Sequence, residues 1–202
     1  MSVRRDYFEV FGLPRKLGID LEELQRRFYE LSRRVHPDFF QTATPAEQAL
    51  SLGQSALINR AYRTLRDPVS RVEYLIRLEE GRETREGDTG IKPKAPMDLL
   101  EEMLEVQESL QEAKAGGFDE ATRRRLSEEQ ARLLERRAAE EAALLALARE
   151  WDATLDRDGD RKGLLDRMKE VLATRAYLNT VINDLSAALG EETHTNVSHR
   201  RH

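Results

Sequence analysis

The chain of 202 residues is long enough for one or two domains, and with 35% charged and 39% hydrophobic residues its apolar stripes must be narrow and shared between helices. Because it has no cysteine, the sequence excludes disulfides, a thiolate nucleophile and cysteine-ligated zinc or iron–sulfur centres. The charge is uneven, with 13 Lys and Arg against 10 Asp and Glu in residues 1–78 and 20 against 28 in the remainder, which indicates two surfaces for two partners.

Capping patterns and apolar periodicity predict three helices in the first part of the chain, after a brief aromatic helix or turn from Arg5 to Phe11. The helix starts are marked by Asp20 with Glu23, by Thr44-Pro45 with Glu47, and by Asp67-Pro68. The first helix ends before Pro37, because the residue preceding a proline avoids the α region. The predicted core face of the first helix is Leu21, Leu24, Phe28, Leu31 and Val35, and that of the second is Leu50, Leu57, Ile58, Ala61, Tyr62 and Leu65.

The second part of the chain is predicted to be a three-helix domain that follows a linker. Glycines and prolines spread through charged residues indicate the linker, and helical periodicity resumes after Pro96. The three helices are predicted at about residues 97–115, 118–156 and 163–189. No strand pattern occurs, so the predicted fold class is all-α. The predicted divisions are a helical-hairpin domain at 1–78, a linker at 79–96, a three-helix domain at 97–189 and a disordered tail at 190–202.

The sequence lacks the patterns of a membrane span, a signal peptide and a calcium-binding loop. No apolar run reaches the roughly 18 residues that a bilayer span needs, and the first residues lack the apolar region of a signal peptide, so we expect a cytoplasmic protein without a membrane partner. Residues 156–167 begin like a calcium loop, but Arg161 and Arg167 stand where glycine and glutamate are required. We therefore expect no metal, no cofactor and no nucleic-acid partner.

The tripeptide His36-Pro37-Asp38 lies between two antiparallel amphipathic helices and is the first candidate site. Pro37 fixes its own φ angle and lacks an amide donor, which makes the loop rigid and presents His36 and Asp38 outward. Asp38 can then accept charge-assisted hydrogen bonds from an arginine of a partner. The helix before the tripeptide adds four basic candidates, Arg26, Arg27, Arg33 and Arg34. The alternatives are a capped loop that only ends the helix and an ordinary solvated arginine face, since Glu22, Glu23 and Glu30 share that helix.

Two further motifs accompany the tripeptide. Asp6-Tyr-Phe-x-x-Phe-Gly-Leu13 lies upstream, and Asn59-Arg-Ala-Tyr-x-Thr-Leu-x-Asp-Pro68 lies downstream. Together they resemble the J-domain of Hsp40-type co-chaperones over residues 4–78. The resemblance implies that the tripeptide and the four arginines bind the nucleotide-binding domain of an Hsp70-type chaperone and accelerate its ATP hydrolysis. The chain has no phosphate-binding loop of its own, so we expect an activator and not an enzyme.

The helix after Pro96 carries the second candidate site. Met103, Val106, Leu110 and Ala113 fall within about 40° of Leu99 and form a predicted core stripe, whereas Leu100 and Leu104 fall at about 100° and 140° from it. Four carboxylates surround the two outlying leucines, namely Glu101, Glu105, Glu108 and Glu112. An apolar pair rimmed by carboxylates is typical of a recognition surface for a partly basic protein. The alternative is a wide core face.

The order of a J-domain, a linker and an acidic three-helix domain resembles the HscB type of co-chaperone. Similar motifs are Ser55-x-x-Ile58-Asn59-x-Ala61-Tyr62-x-Thr64-Leu65, Leu104-Glu105-Val-x-Glu108-x-Leu110-x-Glu112 and Tyr177-Leu178. The resemblance implies an HscA-type chaperone and the iron–sulfur scaffold IscU as partners. The implied scaffold-binding residues are Leu100, Glu101, Leu104, Glu105, Glu108, Glu112 and Tyr177. Glu101 departs from the family, which has an apolar residue there, so a smaller or more electrostatic surface is expected.

A generalist J-protein with a different client is the alternative function. Such proteins commonly add a linker rich in Gly and Phe and client domains that are rich in β-strands or bear cysteines. None of these features occurs in this sequence. The sequence therefore favours the co-chaperone that delivers a scaffold protein to its chaperone.

Overall fold

The computed structural model describes residues 6–81, 97–117, 119–155 and 161–190, and in these residues all regular structure is helical. The predicted all-α fold class is therefore confirmed. The helices are α1 (Tyr7–Val10), α2 (Leu21–Arg34), α3 (Pro45–Arg66), α4 (Pro68–Glu79), α5 (Met97–Gly116), α6 (Glu120–Thr154) and α7 (Arg161–Leu189). A 3₁₀ turn, Pro37–Phe40, joins α2 to α3. Residues 82–96 of the predicted linker, the calcium-like segment 156–160 and residues 191–202 of the predicted tail lie outside the described residues.

The predicted helix starts form by local capping. The Asp20 side chain accepts the N–H groups of residues 22 and 23 at 2.9 and 3.2 Å, and Asp67 accepts the N–H of residue 70 at 2.7 Å. Thr44 and Glu47 close a complete capping box at α3. The Asp20 pattern gives only the N-cap, because Glu23 turns its carboxylate to two arginines of its own helix.

The short aromatic segment at the start packs on the hairpin as predicted. Phe8 and Phe11 are buried, at 0% and 3% exposure. The Tyr7 ring stacks on the Tyr74 ring at 4.3 Å between centroids, and the Tyr7 N–H donates to the Tyr74 hydroxyl at 2.8 Å. Burial raises the pKa of Tyr74. These two contacts between Tyr7 and Tyr74 hold α1 against α4.

Two predicted core positions of the hairpin are wrong. Leu50 is 61% exposed, and Leu21, the first residue of α2, is 49% exposed. In α3 the buried position is Ser51, which lies within about 20° of Ile58 around the helix axis, whereas Leu50 lies about 80° away at the edge of the stripe. A serine occupies the middle of the core face because its hydroxyl donates to the Val35 carbonyl at 2.8 Å.

The contacts divide the chain into two compact units, Met1–Asp88 with Leu145–Leu165, and Thr89–Leu144 with Asp166–His202. The first unit thus includes the end of α6 and the start of α7, which the sequence analysis assigned to the three-helix domain. The Asp152 carboxylate accepts the N–H groups of Leu17 and Gly18 at 2.8 and 2.6 Å. A Cβ atom at Gly18 would lie 3.0 Å from this carboxylate, so any larger residue would have to push the Asp152 side chain aside. Arg71 donates to the carbonyl of Leu17 from the other side.

The second unit has its own hydrophobic core, and it contains the predicted α5 stripe. The buried residues are Leu99, Val106, Leu110 and Ala113 of α5, Leu126 and Leu133 of α6, and Leu178, Val181, Ile182 and Leu185 of α7. One buried polar pair joins α6 to α7, where the Gln130 amide donates to the Ser186 hydroxyl at 2.7 Å. The side of α5 that faces this core determines which of its other residues are exposed.

Candidate partner-binding surfaces

The tripeptide forms an exposed, internally ordered turn in the first unit. The His36 backbone is extended, and its Nδ1 atom accepts the Asp38 N–H at 3.3 Å. With Nδ1 accepting, the neutral imidazole carries its hydrogen on Nε2, where it can donate to a partner. The side chains of His36 and Asp38 are 52% and 71% exposed, so the predicted outward presentation is found.

Phe39 is an exposed residue of this turn that the sequence analysis missed. Its side chain is 73% exposed, and its ring lies edge-on to the His36 ring at 6.1 Å between centroids. A shallow groove beside the turn is lined by Pro37, Phe40, Gln41, Gln48 and Leu52. Local pattern gave no signal for this exposure, because an aromatic pair after a helix stop is as typical of a core anchor as of a surface.

Two of the four candidate arginines are engaged within their own unit. Arg26 pairs with Glu23 at 2.5 Å and with Glu30 at 3.1 Å, and the hydrogen bonds from Arg26 and Arg27 hold the pKa of Glu23 below its usual range. Arg27 also donates from Nη1 to the carbonyls of Phe11 and Gly12 at 2.5 and 2.8 Å. Arg27 therefore ties the loop after α1 to α2.

The other two arginines are exposed in the last turn of α2, directly before the tripeptide. Arg33 and Arg34 form no hydrogen bond or ion pair with any residue that the structure describes. Positive charge at the C-terminal end of a helix is favoured by the helix dipole, so these side chains need no further partner to stay there. Of the four predicted arginines, Arg26 and Arg27 are therefore bound within the first unit, whereas Arg33 and Arg34 can donate to a partner.

We expect Arg27→Ala to lower the free energy of unfolding by about 1–3 kcal/mol, because it removes charge-assisted hydrogen bonds to two carbonyls, of which the bond to Phe11 is partly buried and the bond to Gly12 is exposed. Thermal or urea unfolding followed by circular dichroism measures the loss. Arg34→Ala is the matched control, and its expected change is within about 0.5 kcal/mol, as for most surface residues. Equal stability of the two variants would contradict the structural role of Arg27.

The apolar–acidic surface of α5, defined by Leu100, Leu104 and their four neighbouring glutamates, is exposed in the second unit. Leu100 and Leu104 are 37% and 58% exposed, whereas Leu99 beside them is fully buried. All four glutamates are exposed, and only Glu112 forms an ion pair with a described residue, Arg125 at 4.0 Å. The alternative of a wide core face is therefore wrong for the two leucines.

The last candidate residue, Tyr177 on α7, is half-buried. It packs against the hydrophobic core of the second unit, the cluster that includes Leu99 and Leu110. Its predicted place at the scaffold surface stays a prediction.

The side of α5 that faces away from Leu104 is covered by α6. Glu102 lies on that side and pairs with Arg136 of α6.

One known domain family and two solved structures are similar to this chain. The DnaJ domain family matches residues 6–74. Over 91% of this chain and 96% of the other, the structure is similar to chaperone HscB from Vibrio cholerae, with 24% identity and a TM-score of 0.57. Over 93% of this chain and 83% of the other, it is similar to human co-chaperone protein HscB, with 26% identity and a TM-score of 0.59. None of the described helices is long and apolar enough to cross a membrane.

Proposed function

We propose that this chain, which carries a J-domain and has the fold of HscB co-chaperones, stimulates the ATPase of an HscA/Hsp70-type chaperone and delivers an IscU-type scaffold to it for iron–sulfur cluster assembly and transfer. The observation that carries the proposal is the presence of two exposed surfaces of different chemistry on separate units. One is the tripeptide turn with the adjacent exposed Arg33 and Arg34, and the other is the apolar–acidic surface of α5.

The tripeptide turn contacts the chaperone. Asp38 is an exposed carboxylate that accepts charge-assisted hydrogen bonds from an arginine of the chaperone, and the Nε2–H of His36 donates to a chaperone acceptor. Pro37 keeps the two side chains at a fixed spacing, which lowers the entropy lost on binding.

The apolar–acidic surface of α5 binds the scaffold. Leu100 and Leu104 lose water against an apolar patch of the scaffold and supply most of the binding free energy. The surrounding carboxylates attract basic side chains and raise the association rate. Glu101 lies within this surface. Because it is charged, the affinity for the scaffold depends more strongly on ionic strength than it would with an apolar residue at this position.

Arg33 and Arg34 lie next to the turn, so we expect their positive charge to speed up association with the chaperone. We expect Arg33→Glu with Arg34→Glu to slow association about tenfold or more at low ionic strength and to flatten its salt dependence, with little change in dissociation. Stopped-flow or surface-based binding kinetics at several salt concentrations measure the effect.

A control with the same change of charge is Arg124→Glu with Arg149→Glu, since both side chains are exposed on α6. This control is expected to alter the association rate far less. If the rate is the same for the wild-type chain and the Arg33 and Arg34 variant at every salt concentration, the steering role is rejected.

The proposed function is tested by steady-state ATP hydrolysis of an HscA-type chaperone with the chain, an IscU-type scaffold, or both. The expected result is stimulation by the chain alone and a larger, more than additive stimulation when the scaffold is also present. An unfolded model protein in place of the scaffold is expected to add nothing to the effect of the chain. Equal enhancement by the unfolded protein would support the generalist J-protein, and no stimulation under any condition would reject the proposal.

A further inference from the structure

We propose that Ser51 and Gln48 of α3 are positioning residues that hold the two ends of the tripeptide turn and thereby set the geometry in which it meets the chaperone. The role deepens the proposed function and rests on it. The two residues are three apart in α3, so they lie on neighbouring turns of one side of the helix, next to the connection that carries His36 and Asp38.

Ser51 holds the end of the turn that precedes His36. Its side chain is 2% exposed, and its hydroxyl donates to the Val35 carbonyl at 2.8 Å. Val35 is the C-cap of α2, so its carbonyl is one of the acceptors that the helix end leaves without an intrahelical donor. The bond is partly buried, so its loss would leave a half-buried carbonyl without its donor from α3 and would loosen the residue directly before His36.

Gln48 holds the opposite end of the same turn. Its side-chain amide donates to the carbonyl of Gln41 at 3.0 Å and to the carbonyl of Ala43 at 3.1 Å. Gln41 directly follows the 3₁₀ turn, and Ala43 directly precedes the N-cap of α3. One side chain thus fixes the backbone on the far side of Pro37–Phe40 in two places.

The turn between these anchors has few bonds of its own. The Phe39 N–H donates to the His36 carbonyl and the Ala43 N–H donates to the Phe40 carbonyl, each at 3.0 Å, and the Asp38 N–H donates to His36 Nδ1 at 3.3 Å. None of these three bonds reaches α2 or α3. His36 and Asp38 project into solvent and are not fixed by packing. Pro37 and Phe40 are half-buried, and among the described residues Ser51 and Gln48 supply the side-chain hydrogen bonds from α3 to the two ends of the turn. These bonds therefore help to set the orientation of His36 and Asp38 relative to α2 and α3.

Loss of an anchor has a specific kinetic consequence. If the turn adopts the competent geometry only part of the time, the apparent affinity for the chaperone falls by that fraction, while the bound complex has the same geometry as before. The concentration of chain that gives half-maximal stimulation then rises, and the maximal stimulation stays constant. A change in the contacts that stimulate hydrolysis would lower the maximum instead.

The test uses the full chain with Ser51→Ala or Gln48→Met, and Ser55→Ala and Gln54→Met as matched controls on the same helix. Hydrogen exchange at the Phe39 and Ala43 amides is expected to accelerate in the Ser51 and Gln48 variants only. In ATPase titrations with an HscA-type chaperone, each variant is expected to raise the half-maximal concentration about three- to tenfold at an unchanged maximum. Ser51→Ala loses one partly buried hydrogen bond, and Gln48→Met loses two exposed and therefore weaker ones. Gln48→Met replaces an exposed side chain and keeps the test valid even where Ser51→Ala lowers stability.

Each outcome has a separate meaning. Unchanged exchange at both amides rejects the anchors, and faster exchange with an unchanged half-maximal concentration rejects their role in positioning. A lower maximum at an unchanged half-maximal concentration also rejects positioning. The His36→Gln variant in the same titration tests the proposed function independently, because full stimulation by that variant would overturn the function while the exchange data still decide on the anchors.

Discussion

His36→Gln is expected to abolish stimulation of the chaperone ATPase while the chain stays folded. The imidazole is half exposed, and its one hydrogen bond within the described residues is the 3.3 Å bond from the Asp38 N–H to Nδ1. A surface residue with so few contacts contributes within about 0.5 kcal/mol to stability. Glutamine is polar and flexible, so it does not present a donor at the position of the rigid imidazole Nε2. Steady-state ATP hydrolysis by the chaperone and thermal melting of the variant measure the two effects.

Thr42→Ala is the matched control, since Thr42 is exposed close to the same turn and its side chain has no hydrogen bond with the described residues. This variant is expected to stimulate fully. Asp38→Asn is expected to resemble the His36 variant, because a neutral amide forms weaker hydrogen bonds with an arginine than a carboxylate does. Full stimulation by His36→Gln would contradict the J-domain mechanism for this chain.

Leu100→Ala with Leu104→Ala is expected to weaken scaffold binding by a hundredfold or more, on the order of 3 kcal/mol for two central apolar contacts. Stability is expected to change little, because both side chains are exposed, at 37% and 58%. Stimulation of the chaperone in the absence of scaffold is also expected to persist, since the tripeptide turn lies in the other unit. Titration calorimetry with the scaffold and thermal melting of the same preparations measure both results.

Two controls separate a binding surface from a core. Leu99→Ala removes a fully buried side chain and is expected to cost about 2–5 kcal/mol of stability. Leu134→Ala with Leu145→Ala removes two α6 leucines of similar exposure, 37% and 46%, and is expected to leave scaffold binding unchanged. A large drop in the melting temperature of the Leu100 and Leu104 variant would assign these residues to the core and leave the scaffold site without a location.

Tyr177 is tested with the same surface. If the aromatic ring contributes to the surface that contains Leu104, Tyr177→Ala and Leu104→Ala are expected to give non-additive losses of scaffold affinity in a double-mutant cycle. Tyr177 packs against the core of its unit, so stability must be measured for each variant. Additive losses would separate Tyr177 from the scaffold surface.

Local chemistry explains why much of the fold could be predicted. An N-cap, a proline at the first helical position or a proline after the last turn acts within about four residues, so α2, α3 and α4 begin where their capping residues stand. The 100° step of the α-helix likewise places Leu99 on a different side of α5 from Leu100 and Leu104, whatever packs against that helix. The tripeptide could also be predicted from the sequence, because its chemistry and its place between two helices depend only on residues that are close to it in the chain.

The sequence by itself determined the helices, the exposed leucine pair and the tripeptide, because each depends on neighbours along the chain. The tertiary structure alone decided that Arg27 is bound to backbone 15 and 16 residues away while Arg33 and Arg34 are open to a partner. It also placed Ser51 in the core face, where its acceptor lies 16 residues away, and brought Asp152 to backbone amides 134 and 135 residues distant. Periodicity reports which side of a helix is apolar, but a hydrogen bond between distant segments depends on how the helices pack, and that packing leaves no local pattern.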